Sequence, residues 1–130
     1  SKFKRSSFYN QNKSVANGLL KRHIEIKRIS ADRAGKKSFH ILMMLYFQDM
    51  YKVLLEIRRV LNQTGKAYLI LGDSAPYGIF VPTTKILGKM ALNAGFNNYR
   101  IHKIRTRGTK WKSLTHRHSM ELSENVLVLS

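Results

Sequence analysis

Apolar residues between positions 39 and 62 recur at alternating steps of three and four, the spacing that places side chains along one face of an α-helix. These residues are Phe47, Met50, Leu54, Ile57 and Leu61. Lys52, Glu56 and Arg59 fall largely on the other face. The segment is therefore predicted to be a helix that stops before Gly65, where glycine is free to adopt the left-handed backbone conformation.

The pattern changes after this helix. Residues 67–71 are apolar without alternation, and they lead directly into Gly72, Asp73 and Ser74. A short run of this kind is typical of a strand buried on both faces, as in a parallel sheet covered by helices. Ligands of open parallel sheets bind at the carboxyl ends of the strands. Asp73 and Ser74 are therefore predicted to lie at the edge of a site.

A second helix is predicted to begin at Pro82 and Thr83, with Thr83 as its N-cap, and to end at Gly95. Its apolar face consists of Ile86, Leu87, Met90, Ala91 and Ala94. The remaining segments are a strand at 99–104, a basic loop at 105–119 and a strand at 125–129. The last two strands fit as antiparallel neighbours at the sheet edge. Helix, strand, helix, strand and strand in this order make half of a doubly wound α/β sheet.

Residues 1–40 are the most basic part of the chain, and their apolar residues are scattered. Leu19, Leu20, His23, Ile24 and Lys27 allow one or two turns of helix. The segment is interpreted as a basic arm or docking segment outside the core, and residues 41–130 as a partial α/β domain.

Composition restricts the class of protein further. The 130 residues suit one domain, and 24 Lys and Arg against 7 Asp and Glu give a net charge of +17. Such an excess favours nucleic acid as the partner over a membrane surface. The chain contains no cysteine, which excludes disulfides and thiolate metal sites. It has neither an apolar run that would span a bilayer nor a secretory signal, so a cytoplasmic protein is expected.

Lysines and arginines cluster between positions 100 and 117 with Trp111 among them. Cations can bind phosphate, and an indole can stack on a base. The predicted nucleic-acid contacts are Lys4, Arg5, Arg105, Arg107, Lys110, Trp111, Lys112, His116 and Arg117. The alternative is a solvated loop with Trp111 folded onto the core. The histidines of this region, His102, His116 and His118, have no carboxylate at ligand spacing, so no metal site is predicted.

Residues 46–130 resemble the C-terminal part of S-adenosylmethionine-dependent DNA methyltransferases, the enzymes that modify the exocyclic amino group of adenine or cytosine. The resemblance rests on the order and spacing of several short pieces. These are Tyr46-Phe47-Gln48-Asp49-Met50-Tyr51, Arg59-Val60-Leu61, Leu71-Gly72-Asp73-Ser74, Pro82-Thr83, Gly95-Phe96, Arg105-Thr106-Arg107-Gly108, His116-Arg117 and Glu124-Asn125-Val126-Leu127-Val128-Leu129. The implied fold is the distal half of a Rossmann-like methyltransferase sheet.

Two motifs of that family are missing from this chain: the Gly-rich loop that holds the cofactor and the Asp/Asn/Ser-Pro-Pro-Tyr/Phe motif that grips the target base. The segment 73–77 is only superficially similar to the second motif, because one proline is absent. The resemblance implies that Asp73, Ser74 and Tyr77 form a wall of the base pocket. It also implies that S-adenosylmethionine binds only if a partner supplies the missing loop. The alternative role of Asp73 is to cap the turn at 74–78.

Two functions follow from these observations. The first is a C-terminal portion or subunit of a DNA amino-methyltransferase, inactive alone, which supplies DNA contacts and part of the base pocket. The second is a non-enzymatic nucleic-acid-binding module that retains the remnant of the fold. Half a sheet leaves a strand edge and an apolar face uncovered, so a second chain or another copy of this chain is expected to complete it.

Overall fold

The computed structural model describes residues 2–31, 38–107 and 121–130. In these ranges the chain forms four α-helices and three β-strands. They are α1 (Ser7–Gln11), α2 (Lys13–Ala31), α3 (Phe39–Val60), β1 (Ala67–Gly72), α4 (Thr83–Asn93), β2 (Tyr99–Arg107) and β3 (Leu122–Leu129). Two short 3₁₀ turns, at Phe3–Arg5 and Pro76–Gly78, precede α1 and follow β1. The mixed α/β class that the sequence predicts is confirmed.

The three strands form an open sheet in the order β1-β3-β2. The central strand β3 is antiparallel to both neighbours, so β1 and β2 run parallel to one another. Leu127 of β3 lies between Leu69 of β1 and Ile101 of β2, and an irregularity between Lys103 and Arg105 shifts the later register of β2. The predicted antiparallel pairing of the last two strands is confirmed.

Strand β1 differs from the strand buried on both faces that its composition predicts. Burial alternates along it: Tyr68 is 65% exposed and Ile70 is 75% exposed, whereas Leu69 and Leu71 pack against the core. The reason is that the described helices cover only one face of the sheet. The uncovered face of β1 is also apolar. The sequence therefore lacks the alternation of polar and apolar residues that indicates a strand with one exposed face.

The core lies between the covered sheet face and the helices. Helix α4 packs on all three strands, α3 packs beside α4, and α2 packs against both α3 and α4. The fully buried residues include Phe47, Leu54, Leu87, Met90, Leu127 and Leu129. The apolar face predicted for the second helix is confirmed, since its five residues are all buried.

The N-terminal segment contributes to this core. Phe8 of α1 is buried, and Val15, Leu19 and Ile26 form a buried stripe on the 19-residue helix α2. The interpretation of residues 1–40 as an arm outside the core is therefore wrong for the described residues 2–31. Cations interleaved with these apolar residues hide a stripe whose steps of four and seven are nevertheless helical.

Two of the three predicted helix boundaries have a physical cause other than the one that the sequence suggests. Helix α3 ends at Val60 because Leu61 adopts an extended backbone, and Gly65 does not take the left-handed conformation. Gly65 instead provides space, since a Cβ there would lie 2.8 Å from Cδ1 of Leu61. Thr83 is the first residue of α4 rather than its cap. Gly95, with φ of 112°, does have the left-handed backbone that ends the second helix.

Candidate functional site

The loop that follows β1 folds back on itself at the carboxyl end of the strand. Ser74 and Val81 exchange two backbone hydrogen bonds, of 3.2 and 2.7 Å, which close the loop at its base. At its tip Tyr77 and Gly78 both have positive φ, of 53° and 79°. Two successive left-handed residues reverse the chain tightly. The corner predicted as a site is therefore a closed, defined loop.

A cavity of about 440 Å³ lies between this corner and the start of α3. Its wall is mostly apolar and includes Phe39, Tyr46 and Phe47 from α3. Ser74 of the loop and Thr83 at the start of α4 also line it, and the Thr83 hydroxyl donates to the backbone carbonyl of Val81 at 3.4 Å. A pocket of this size, apolar with a few polar groups, is typical of sites for small molecules. Its aromatic residues suit a flat ring system.

The three predicted residues of the base pocket have different positions relative to this cavity. Ser74 lines it. Tyr77 packs edge-on against the lining residue Phe39, with 5.9 Å between the ring centroids. The carboxylate of Asp73 is directed to the N-terminus of α4 instead. The role of these residues in a reaction stays a prediction.

Asp73 makes the most extensive set of hydrogen bonds in this region. Its Oδ1 accepts from both the backbone N–H and the hydroxyl of Thr84, each at 3.1 Å. Its Oδ2 is 3.5 Å from the hydroxyl of Ser123 on β3. The buried amide of Asn125 donates to Oγ1 of Thr84 at 2.9 Å. Asp73 therefore caps α4 and links it to β1 and β3.

Arg107 connects the same corner to the end of β2. One of its terminal nitrogens donates to the backbone carbonyl of Asp73, and its Nε lies 3.5 Å from Oε1 of Glu124. Arg105 donates to the other oxygen of Glu124 at 2.6 Å, and this hydrogen bond lowers the pKa of the Glu124 carboxyl. Gly72 leaves the space, since a Cβ there would lie 2.7 Å from the Arg107 guanidinium. Both arginines thus have protein partners.

The remaining predicted nucleic-acid contacts fall only partly within the described residues. Lys4 and Arg5 are exposed in the 3₁₀ turn before α1. Lys110, Trp111, Lys112, His116 and Arg117 lie outside the described residues. Their contact with nucleic acid stays a prediction.

Sequence reasoning did not identify the aromatic wall of the cavity or the partners of Asp73. Phe39 and Tyr46 are seven residues apart, which places them on one side of α3, so a signal for the wall was present. Thr84 and Asn125 come together only through the packing of α4 on the sheet. Their separation of 41 residues leaves no local pattern that would pair them.

A pair of histidines joins α2 to the start of α3 beside the cavity. The rings of His23 and His40 are 5.1 Å apart, and Nδ1 of His23 donates to the backbone carbonyl of His40 at 2.9 Å. Nδ1 of His40 is buried and has no hydrogen-bond partner among the described residues. Burial lowers the pKa of His40, and the nearby charges of His23 and Lys27 lower it further. Both effects favour the neutral form of His40.

Within the described ranges, no group of three or more histidine, aspartate or glutamate side chains has the arrangement of a metal site. None of the described helices combines the length and apolar character that crossing a membrane requires. Comparison of the chain with protein-family models, with curated proteins and with solved structures finds no match.

Proposed function

We propose that this chain is the distal half of a DNA amino-methyltransferase domain and works with a second chain that holds S-adenosylmethionine. The succession of β1, α4 and β2 supports the proposal, because it forms two parallel strands joined through a helix on one face. The resemblance of residues 46–130 to that enzyme family gives the proposal its chemistry.

The observation that carries the proposal is the position of β1 at the edge of the sheet. Among the strands that the structure describes it lies at the edge, and the backbone N–H of Asp73 donates to the carbonyl of Ser123 on β3. Hydrogen-bonding direction alternates along an antiparallel strand, so the N–H and C=O groups of Tyr68 and Ile70 point to the open edge. Their side chains also leave an apolar surface uncovered. Soluble proteins rarely leave such an edge bare, which favours a partner strand.

The cavity beside Ser74 is proposed to receive the target base. Methylation of an amino group requires the base to leave the stack and enter a pocket, where apolar and aromatic side chains hold its ring. Phe39, Tyr46 and Phe47 offer such a wall, and Ser74 brings a hydroxyl group that can hydrogen-bond to a polar group on the base edge. The methyl donor would come from the partner chain, so the isolated chain is expected to be inactive.

The test is complementation. The chain is mixed with a separately produced cofactor-binding half of an amino-methyltransferase from the resembling family, with unmethylated duplex DNA and tritiated S-adenosylmethionine. Methyl transfer is expected only in the mixture, and calorimetry is expected to detect no cofactor binding by this chain alone. Tight cofactor binding by the isolated chain, or no transfer with any cofactor-binding half that forms a complex with it, would contradict the proposal.

A matched pair of variants tests the open edge. Ile70→Pro removes a backbone donor that faces the edge without removing a hydrogen bond between β1 and β3. Ile70→Thr also shortens the apolar side chain but keeps that donor. We expect the proline variant to lose complex formation and methyl transfer, while the threonine variant keeps both. Equal behaviour of the two variants would show that β1 does not pair with the partner.

The second candidate is a nucleic-acid-binding module without enzymatic activity. The hydrogen bonds of Asp73 favour it, because both carboxylate oxygens already have partners within the protein, at the start of α4 and at Ser123, and so have a structural role. This candidate predicts DNA binding that weakens steeply with salt, with methyl transfer absent in every mixture. The complementation assay therefore separates the two candidates.

A further inference from the structure

Helix α2 presents a cationic face to solvent. Lys13, Asn17, Lys21 and Arg28 follow one another at steps of four, four and seven residues, which places them on one side of the helix. All four are exposed, and the opposite side of α2 is buried in the core. We call these four residues the α2 face. Lys13 and Arg28 are 15 residues apart, which corresponds to about 22 Å of helix.

No ion pair joins these cations to an acidic residue in the described ranges, and the exposed Glu25 lies on the same side of α2, four residues after Lys21 and three before Arg28. The ion pairs there use Glu56 of α3 and Glu124 of β3. Helix α2 carries five lysines and arginines and a single acidic residue, Glu25. Repulsion among exposed like charges destabilises the folded chain unless an anionic partner compensates for it.

The direction of α2 relates this face to the cavity. At the start of α2, Asn12 accepts a hydrogen bond of 2.9 Å from Asn93, at the end of α4. Farther along the helix, Arg22 donates to the carbonyl of Phe80 in the loop that follows β1. His23 then contacts His40, the neighbour of the cavity residue Phe39. The α2 face therefore runs towards the end of the molecule that contains the cavity.

We infer that the α2 face binds the phosphate backbone of a nucleic acid and directs that strand to the cavity. The inference rests on the DNA-binding part of the proposed function and does not require methyl transfer. Phosphodiesters repeat along a strand, so a row of cations about 22 Å long can contact several of them. Lysine, arginine and asparagine side chains are all usual phosphate contacts.

An anionic membrane surface fits this face less well. A helix that binds a bilayer buries its apolar side among the lipids. The apolar side of α2, with Val15, Leu19 and Ile26, is already buried against the rest of the protein. Ile24, which is 64% exposed, is the one large apolar side chain among the cations of the face. A polyanion that needs charge and little apolar contact is the better match.

The test compares two double variants of equal charge. Lys21→Gln with Arg28→Gln removes two cations from the α2 face. Lys52→Gln with Lys66→Gln removes two exposed cations from α3 and from the segment before β1. Binding of fluorescent duplex and single-stranded DNA is measured by anisotropy from 0.05 to 0.5 M salt (on the order of one decade of salt, the range over which phosphate contacts are resolved). Circular dichroism and thermal unfolding establish that both variants remain folded.

We expect the α2 variant to reduce the slope of log affinity against log salt by about 1.8 on duplex DNA, or about 1.4 on single strands, since each phosphate contact contributes about 0.9 or 0.7. The control variant is expected to keep the wild-type slope. Equal losses in the two variants would mean that only total charge matters, and unchanged slopes in both would place the binding surface elsewhere. Either result overturns the inference.

Vesicles of phosphatidylserine and phosphatidylcholine provide a competing anionic surface. Wild-type binding to these vesicles without binding to DNA would overturn both the inference and the DNA-binding part of the proposed function. Loss of DNA affinity in the α2 variant would support the inference even where the complementation assay gives no methyl transfer. The two proposals can therefore fail separately.

Discussion

Replacing Asp73 by alanine removes the carboxylate that joins the corner after β1 to helix α4. Two hydrogen bonds from Thr84 lose their acceptor, and one of them satisfies a backbone N–H at the start of the helix. The loss of a helix cap costs about 1 kcal/mol. A hydrogen bond from the Thr84 hydroxyl to a charged group adds about 1.5 kcal/mol. The expected loss of unfolding free energy is therefore about 2–3 kcal/mol.

Asp73→Asn separates hydrogen bonding from charge at the same position. The amide oxygen still accepts both bonds from Thr84, so the cap is retained. What is lost is the favourable interaction of a negative charge with the N-terminus of α4, about 0.3–1 kcal/mol. The asparagine variant is therefore expected to be less destabilised than the alanine variant by about 1–2 kcal/mol.

Urea unfolding followed by circular dichroism and tryptophan fluorescence measures these differences. With a urea dependence of about 1.5 kcal/mol per M, Asp73→Ala should lower the midpoint by about 1–2 M. Asp49→Ala is the matched control, since Asp49 is exposed on α3, and its midpoint should stay within about 0.3 M of wild type. If Asp73→Ala behaves like this control, the capping role assigned to Asp73 is refuted.

Two further predictions concern glycines and pH. Gly88→Ala places a Cβ 2.6 Å from the Tyr99 ring and should lower the free energy of unfolding by about 1–2 kcal/mol. A Cβ at Gly18 would have its nearest atom 3.4 Å away, so Gly18→Ala should raise that free energy by about 0.5–1 kcal/mol. Urea unfolding of both variants measures the two changes. His40 has a lowered pKa in the folded protein, so its neutral form contributes stability that is present above its ordinary pKa near 6.5 and is lost as the pH falls below that value. Thermal unfolding from pH 8 to 5 should show this loss of stability, which is at most about 1.4 kcal/mol per pH unit. The loss should disappear in His40→Gln and persist in His102→Gln. Persistence in both variants would exclude His40 as its source.

The elements that the sequence predicted best are those with a continuous apolar period. Helix α3 was predicted over residues 39–62 and observed as Phe39–Val60, and the buried face of α4 was correct at each named position. Period and burial agree there because each helix packs one stripe against the core. For α2 the same signal was present, but interleaved cations concealed it, and only packing against α3 and α4 reveals which side is buried.

The face of a strand and the partner of a polar residue were harder to predict. Strand β1 is apolar on its covered and uncovered faces alike, so its sequence does not distinguish a central strand from an edge strand with one exposed face. The choice between a site role and a capping role for Asp73 also depended on tertiary structure. Thr84 is 11 residues away, and only the closed loop between Ser74 and Val81 brings it within hydrogen-bond distance.

The two surfaces proposed here belong to different layers of the molecule, which has a consequence for assembly. The open edge and apolar face of β1 lie in the sheet, whereas α2 lies across α3 and α4 on the other side. A partner strand on β1 therefore leaves the α2 face accessible to nucleic acid. Two copies of this chain joined through β1 would each bring a net charge of +17 and would repel one another. A partner of lower positive charge avoids this repulsion, so the same physical reasoning that assigns the α2 face to a polyanion favours a different chain, rather than a second copy, at the edge of the sheet.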